Sequence, residues 1–232
     1  MKIIFQYITV LALCAGGLSC KKDNYKEPAS TLAGHIVYKG EAIGVEYDQV
    51  PFQLFQFGFG KVGPINGSFT QDGAYSALLF DGTYKLIIPN GQGPFRWKQL
   101  ASGAPDSTTV TLAGNQTLDL DVTPYYMIRT PQLTGGSGKV NAVFKAEKII
   151  TDANAKSIES VSLFINKTEF VSGANNIART DLSGGAIADP NAINLSVTVP
   201  GIAPQTYVYA RIGLKISGVE DLVFSPVQKV TF

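Results

Sequence analysis

The sequence predicts an all-β protein built as two tandem antiparallel β-sandwiches. Three observations carry that expectation. Apolar residues recur at every second position through most of the chain, the period of a half-buried strand. The runs are separated by turn signals such as Gln71-Asp72-Gly73, Asp81-Gly82 and Gly114-Asn115. The one stretch with helical character, around Ala153–Ser157, is too short to organise a domain.

In chain order, "LAGHIVY" opens the first sandwich. "GTYKLIIP" then places Tyr84, Leu86 and Ile88 on one face, and "TLDLDV" sets Leu118, Leu120 and Val122 against Asp119 and Asp121. A boundary falls at "VTPYYMIRTP", bracketed by Pro124 and Pro131. Beyond it, "VSLFIN" aligns Val161, Leu163 and Ile165. "INLSVTV" aligns Ile193, Leu195, Val197 and Val199, and "VYARIGLKI" aligns Val208, Ala210, Ile212, Leu214 and Ile216. The expected domains are 30–124 and 125–232, with strands in the first at about 31–38, 50–57, 67–70, 74–80, 83–88, 107–112 and 117–123.

The first residues read as a secretory signal. Lys2 precedes an apolar run from Ile3 to Leu13, too short for a permanent membrane helix. Small residues then lead to Cys20 in "GLSC", which resembles the lipobox of bacterial lipoproteins. Cleavage after residue 19 would leave Cys20 as the lipidated first residue, with 20–29 as a polar tether. The alternative, Cys14, follows Leu13 and fits a signal peptidase less well. Neither cysteine is then available for a disulfide, so an exported chain of this kind relies on its core. Losing Lys2 cancels the one-charge excess of 19 basic over 18 acidic side chains. That balance supplies no electrostatic footprint for nucleic acid.

The parts for catalysis are few. His35 is the only histidine, so zinc sites and His-based triads lack components. Asp119 and Asp121 share a strand face, as a glycosidase pair could, yet a solvated face accounts for them. Glu46 and Asp48 could offer oxygens to calcium, but no loop has a calcium-binding spacing. The glycines of "QFGFGKVGPING" lack the following helix that a phosphate loop needs. The expectation is no enzyme activity, no metal and no cofactor.

Aromatic residues flanked by polar ones remain, the combination that stacks on sugar rings and bonds their hydroxyls. Three groups qualify as ligand contacts: Phe59 beside Phe57; Phe95, Arg96 and Trp97 in "NGQGPFRW"; and Tyr207, Tyr209 and Arg211 on the non-core face of a strand. Packing competes with ligand contact for each. Counting strands places loop 58–66 at the pole where the chain enters the first domain. It places loop 89–106 at the junction with the second, together with loops 148–157, 181–192 and 217–221. On that count Trp97 faces the interdomain cleft and is better read as a wedge than as a sugar shelf.

The stretches "LAGHIVYKGEAIGV" and "SFTQDGAYSALLFDGTYKLII" resemble the prealbumin-like, or carboxypeptidase-regulatory-like, sandwich. The ordered set "CKKDNYKEPASTLAG", "FGFGK", "GTYKLIIPNGQGPF" and "LDVTPYY" is similar to a two-domain lipoprotein family, domain-of-unknown-function family 3823. The resemblance covers the mature chain and implies an immunoglobulin- or fibronectin-like second domain, with "YARIGLKISGVEDLVFSPVQKV" as its last strands. Tyr207 and Tyr209 depart from a fibronectin tyrosine corner, being out of phase with Val208 and Ala210. The resemblance implies an outer-membrane, surface-facing setting beside SusC-like and SusD-like glycan-import proteins, and no demonstrated activity. Two functions stay open: a lipid-anchored module that holds oligosaccharide, and a scaffold that docks on the import complex without touching sugar.

Overall fold

A computed structural model describes residues 26–58 and 62–232. The signal, Cys20 and Phe59 lie outside the described residues. The first domain contains β1 (Ser30–Tyr38), β2 (Glu41–Ala42), β3 (Pro51–Gln56), β4 (Pro64–Ser68), β5 (Ala74–Leu79) and β6 (Gly82–Ile87). After these come β7 (Phe95–Arg96), β8 (Thr108–Leu112), β9 (Gln116–Thr117), β10 (Leu120–Asp121) and β11 (Thr123–Pro124). The second contains β12 (Tyr126–Gly136), β13 (Lys139–Lys148), β14 (Ile158–Asn166), β15 (Ala178–Ser183), β16 (Ile193–Thr198), β17 (Tyr207–Ile216), β18 (Val223–Phe224) and β19 (Gln228–Thr231).

In the first domain a sheet ordered β4-β3-β6-β8 faces a sheet in which β1 is bordered by β2, β5, β9 and β10. Tyr84, Leu86 and Ile88 all point into the core, as their alternation predicts. Phe52, Phe69 and Tyr75 form an aromatic cluster with ring centroids 5.1–5.8 Å apart, and the Tyr75 hydroxyl donates to Leu118 O at 2.7 Å. The β9–β10 segment runs parallel to β1, alongside the antiparallel pairing elsewhere in the domain. Its close approach explains the early glycine: a Cβ on Gly34 would stand 2.0 Å from Leu118 O.

The second domain sets β12-β13-β16 against β15-β14-β17, with β18 and β19 also pairing along β17. Here the reading of half-buried strands needs correction. β14 and β17 are buried on both faces over most of their length, and Phe164 joins a second small core with Val171 and Phe224. The outer face of this sheet is covered by the chain's own loops and by the first domain. The expected helix at Ala153–Ser157 is also absent. Asp152 instead forms an Asx turn, accepting from Asn154 N at 2.8 Å, while its carbonyl accepts from Ala155 N. The only helical turn among the described residues is a 3-10 turn at Gly184–Ala186.

Candidate functional site

The two sandwiches meet along a junction organised by Arg211. This side chain is 1% exposed although it lies on the face of β17 opposite Val208, Ala210 and Ile212. The sequence places it on an open polar stripe. The structure corrects that, because the first domain covers this face. Arg211 Nε donates to Ser225 O at 2.8 Å and Nη1 to Val45 O at 3.1 Å, and Nη2 donates to Gln71 O. Its guanidinium lies 4.3 Å from the centroid of the Phe224 ring. Burial pulls its pKa down from the ordinary arginine value to about 9, while Glu46 and Asp72 act in the opposite sense. The group stays charged at neutral pH, bonded to carbonyls of both domains.

Further contacts knit the same junction. Phe224 N donates to Gly44 O at 2.9 Å in a β-bridge between domains. Gly93 N donates to Asp221 Oδ2 at 2.8 Å, Gln71 Nε2 to Glu169 O at 3.0 Å, and Ala174 N to Glu46 Oε1 at 3.3 Å. Arg129 pairs with Glu41 across the junction and with Glu147 within its own domain, the latter at 2.6 Å.

Between these contacts lies a cleft of about 840 Å³. The first domain supplies Glu41–Gly44, Tyr47 and Thr70–Asp72. The second supplies Met127, Ile128, Glu169, Phe170, Val223, Phe224, Pro226 and Val227, with Arg211 in its wall. Tyr47 and Phe170 come from different domains and are 53% and 49% exposed. Their ring centroids are 5.8 Å apart at an interplanar angle of 75°. Asp72, at the rim, accepts from Thr70 Oγ1 and from Ala74 N, and the Thr70 hydroxyl holds its carboxyl below the ordinary value. The cleft is thus apolar on its walls, polar at its rim and half-capped by two aromatic rings, a combination suited to a small polar ligand with C–H faces.

The residues singled out in the sequence fall elsewhere or inward. Trp97 is 7% exposed and its Nε1 donates to Asp106 O at 2.6 Å, so the indole is satisfied within its own loop. Phe95 is 4% exposed. Both belong to the core, and at most an edge of the indole reaches a cleft wall. Arg96 is half-buried and lines, with Trp97 and Asp152, a second, more polar cleft of about 540 Å³ between the domains. The strand count therefore places this loop at the junction correctly and supports the wedge reading. Tyr207 and Tyr209 are half-buried and meet edge to face at 5.9 Å. Lys229 Nζ lies 3.8 Å from the Tyr207 centroid, and Tyr209 packs on the Phe164–Phe224 cluster. Asp119 is spent on β1, accepting from His35 N at 2.9 Å with His35 Nδ1 at 3.9 Å.

Sequence reasoning missed Tyr47 and Phe170. Both lie in loops without periodicity, and their one signal is a large aromatic amid polar residues, in "VEYDQ" and "KTEFVSG". Among the described residues no group of three or more His, Cys, Asp or Glu is placed to hold a metal ion.

Fold and cleft together define a two-domain, all-β protein whose sandwiches are stapled across a shared cleft. Residues 30–123 match "Protein of unknown function (DUF3823) N-terminal domain", and residues 126–229 match "Domain of unknown function (DUF3823_C)". The chain belongs to the DUF3823 family. It is similar to a DUF3823 family protein from Parabacteroides merdae, with 35% identity over 89% of this chain and 100% of the other and a TM-score of 0.77. A Bacteroides ovatus member has 29% identity over 88% and 99% of the two chains and a TM-score of 0.75. A candidate carbohydrate binding protein from Bacteroides uniformis shares the fold at 19% identity, over 88% and 100%, with a TM-score of 0.68. No functionally curated protein matches the chain.

Proposed function

We infer that the chain is a lipid-anchored, non-catalytic accessory protein of a cell-envelope glycan-capture system, and that its interdomain cleft holds a stretch of oligosaccharide. The observation that carries this reading is the Tyr47–Phe170 pair, one half-exposed ring from each domain above a polar-rimmed cleft. Rings so placed stack on the C–H faces of a sugar, while Glu41, Gln71, Asp72 and the Glu169 region offer groups to its hydroxyls. The name of the Bacteroides uniformis protein of like fold points the same way. SusC-like and SusD-like import proteins are the proposed neighbours, with Cys20 as the outer-membrane anchor and the module facing the medium.

A scaffold reading draws on a different observation, the burial of Trp97 and Phe95, which leaves that loop as packing between domains. Calorimetric titration of the lipid-free chain with a panel of neutral hexasaccharides separates the two. Binding that is weakened roughly tenfold in Tyr47→Ala or Phe170→Ala supports the capture reading. No heat with any member of the panel shifts the role to scaffold.

A further inference from the structure

We propose that the pole of the first domain remote from the junction lies against the lipid bilayer surface, with Phe57, Phe80, Leu78 and Val62 as its contact residues. This inference rests on the tether reading of residues 20–29. The four side chains are 55%, 44%, 62% and 40% exposed. Five of the nine large apolar residues exposed among the described positions, with Ile65 as the fifth, sit on the β3–β4 hairpin or on β5 and the turn that carries the chain from β5 to β6 in the facing sheet. Scattered apolar residues need no explanation, but such a concentration on one end of one domain does.

The topology brings them together. β3 pairs with β6 through Gln56↔Tyr84, so the ends carrying Phe57 and Phe80 emerge side by side. The Tyr84 hydroxyl holds Phe80 O at 2.9 Å. Lys85 Nζ lies 5.6 Å from the Phe57 centroid, placing a cation beside the apolar tip as a bilayer headgroup region favours.

The chain's entry point names the occupant. Ser30, the first residue of β1, bonds the Asp81 carboxylate in the β5–β6 turn, and Gly114 N bonds the same carboxylate at 3.1 Å. Thr31 N donates to Asn115 Oδ1 at 2.9 Å. The tether therefore joins the protein at this pole, while Gly44, Gln71 and Gly93 meet the second domain at the other. Nine residues separate Cys20 from Ser30, a span of roughly 30 Å at full extension. A lipid on Cys20 would hold this end, and not the cleft, near the membrane. The cleft then faces outward.

The test separates the patch from the anchor. The chain from residue 20, with Cys20→Ser, is held by an N-terminal hexahistidine on nickel-chelating phosphatidylcholine–phosphatidylglycerol vesicles. Single thiols in Phe57→Cys, Phe80→Cys and, as control, Val143→Cys in the second domain carry an environment-sensitive fluorophore. The expected result is blue-shifted emission and quenching by brominated lipid at 57 and 80, with neither at 143. Aqueous emission at all three positions overturns the proposal. So does a blue shift without lipid quenching that accompanies dimer formation in sedimentation, which assigns the patch to a second copy. Whether Cys20 itself is acylated is read separately, by metabolic labelling of the wild type and Cys20→Ala, so failure of the anchor and failure of the patch give different results.

Discussion

The Arg211 guanidinium stands 4.3 Å from the centre of the Phe224 ring and bonds carbonyls at Val45, Gln71 and Ser225. One cation thereby ties two loops of the first domain to the last strands of the second. Gly44 belongs to the same seat, since a Cβ there would fall 2.8 Å from Arg211 Nη2 and 2.7 Å from Phe224 O.

Arg211→Met keeps volume but leaves three carbonyls without their donor. Loss of a buried, charge-assisted hydrogen-bond set costs about 2–4 kcal/mol, so denaturant titration should show that loss. Arg211→Lys should restore only part of it, because an ammonium cannot fork to three separated acceptors. Gly44→Ala should mimic the arginine variants by pushing on their seat.

Trp97→Ala and Phe170→Ala should behave oppositely. The buried indole is core, and its truncation is expected to cost about 3–5 kcal/mol of stability. Phe170 is half-exposed, so its removal should change stability by less than about 0.5 kcal/mol while lowering neutral-glycan affinity roughly tenfold, the weight of one ring contact of about 1.4 kcal/mol. Thermal melts and calorimetry on the two variants check this reversal.

The lining carboxylates Glu41, Asp72 and Glu169 should repel uronate or sulfated chains, and the Arg211 guanidinium is already bonded within the protein. Neutral hexasaccharides should therefore bind in preference to hexagalacturonate, with the gap narrowing as salt is raised. Equal or tighter binding of the uronate contradicts this assignment.

Stability should respond to acid in two senses. Arg129 holds the Glu147 carboxyl below its ordinary 4.5, and Thr70 holds Asp72 below 3.8. These contributions are full above the unfolded values and disappear as pH falls through the folded ones. Burial pushes Asp221 above 3.8, with Gly93 N–H only partly offsetting it. Its ionisation costs stability as pH rises through that raised value. Asp221→Asn should therefore raise stability at neutral pH while keeping an oxygen for Gly93. Urea titrations between pH 3 and 7, on the order of the carboxylate range, resolve the two signs.

The strands were legible because side-chain alternation is local: Tyr84, Leu86 and Ile88 declare their face within five residues. The role of Gly34 was half-legible, as a glycine whose reason, the parallel approach of Leu118, appears only in the fold. The cleft was not legible. Tyr47 and Phe170 meet because Arg211 docks one domain on the other, and no local pattern encodes a contact between loops so distant in sequence. Parity put Arg211 on the right face of β17, but covering that face took a second domain.

The measurement that bears most directly on the central claim is hydrogen exchange of the lipid-free chain with and without a neutral oligosaccharide shown to bind. The cleft account predicts added protection at Glu41–Tyr47, Thr70–Asp72 and Glu169–Phe170, and none at the 90–106 loop beyond these neighbours. Protection confined to the Trp97 loop, or spread over strand faces with the cleft loops unchanged, would contradict it.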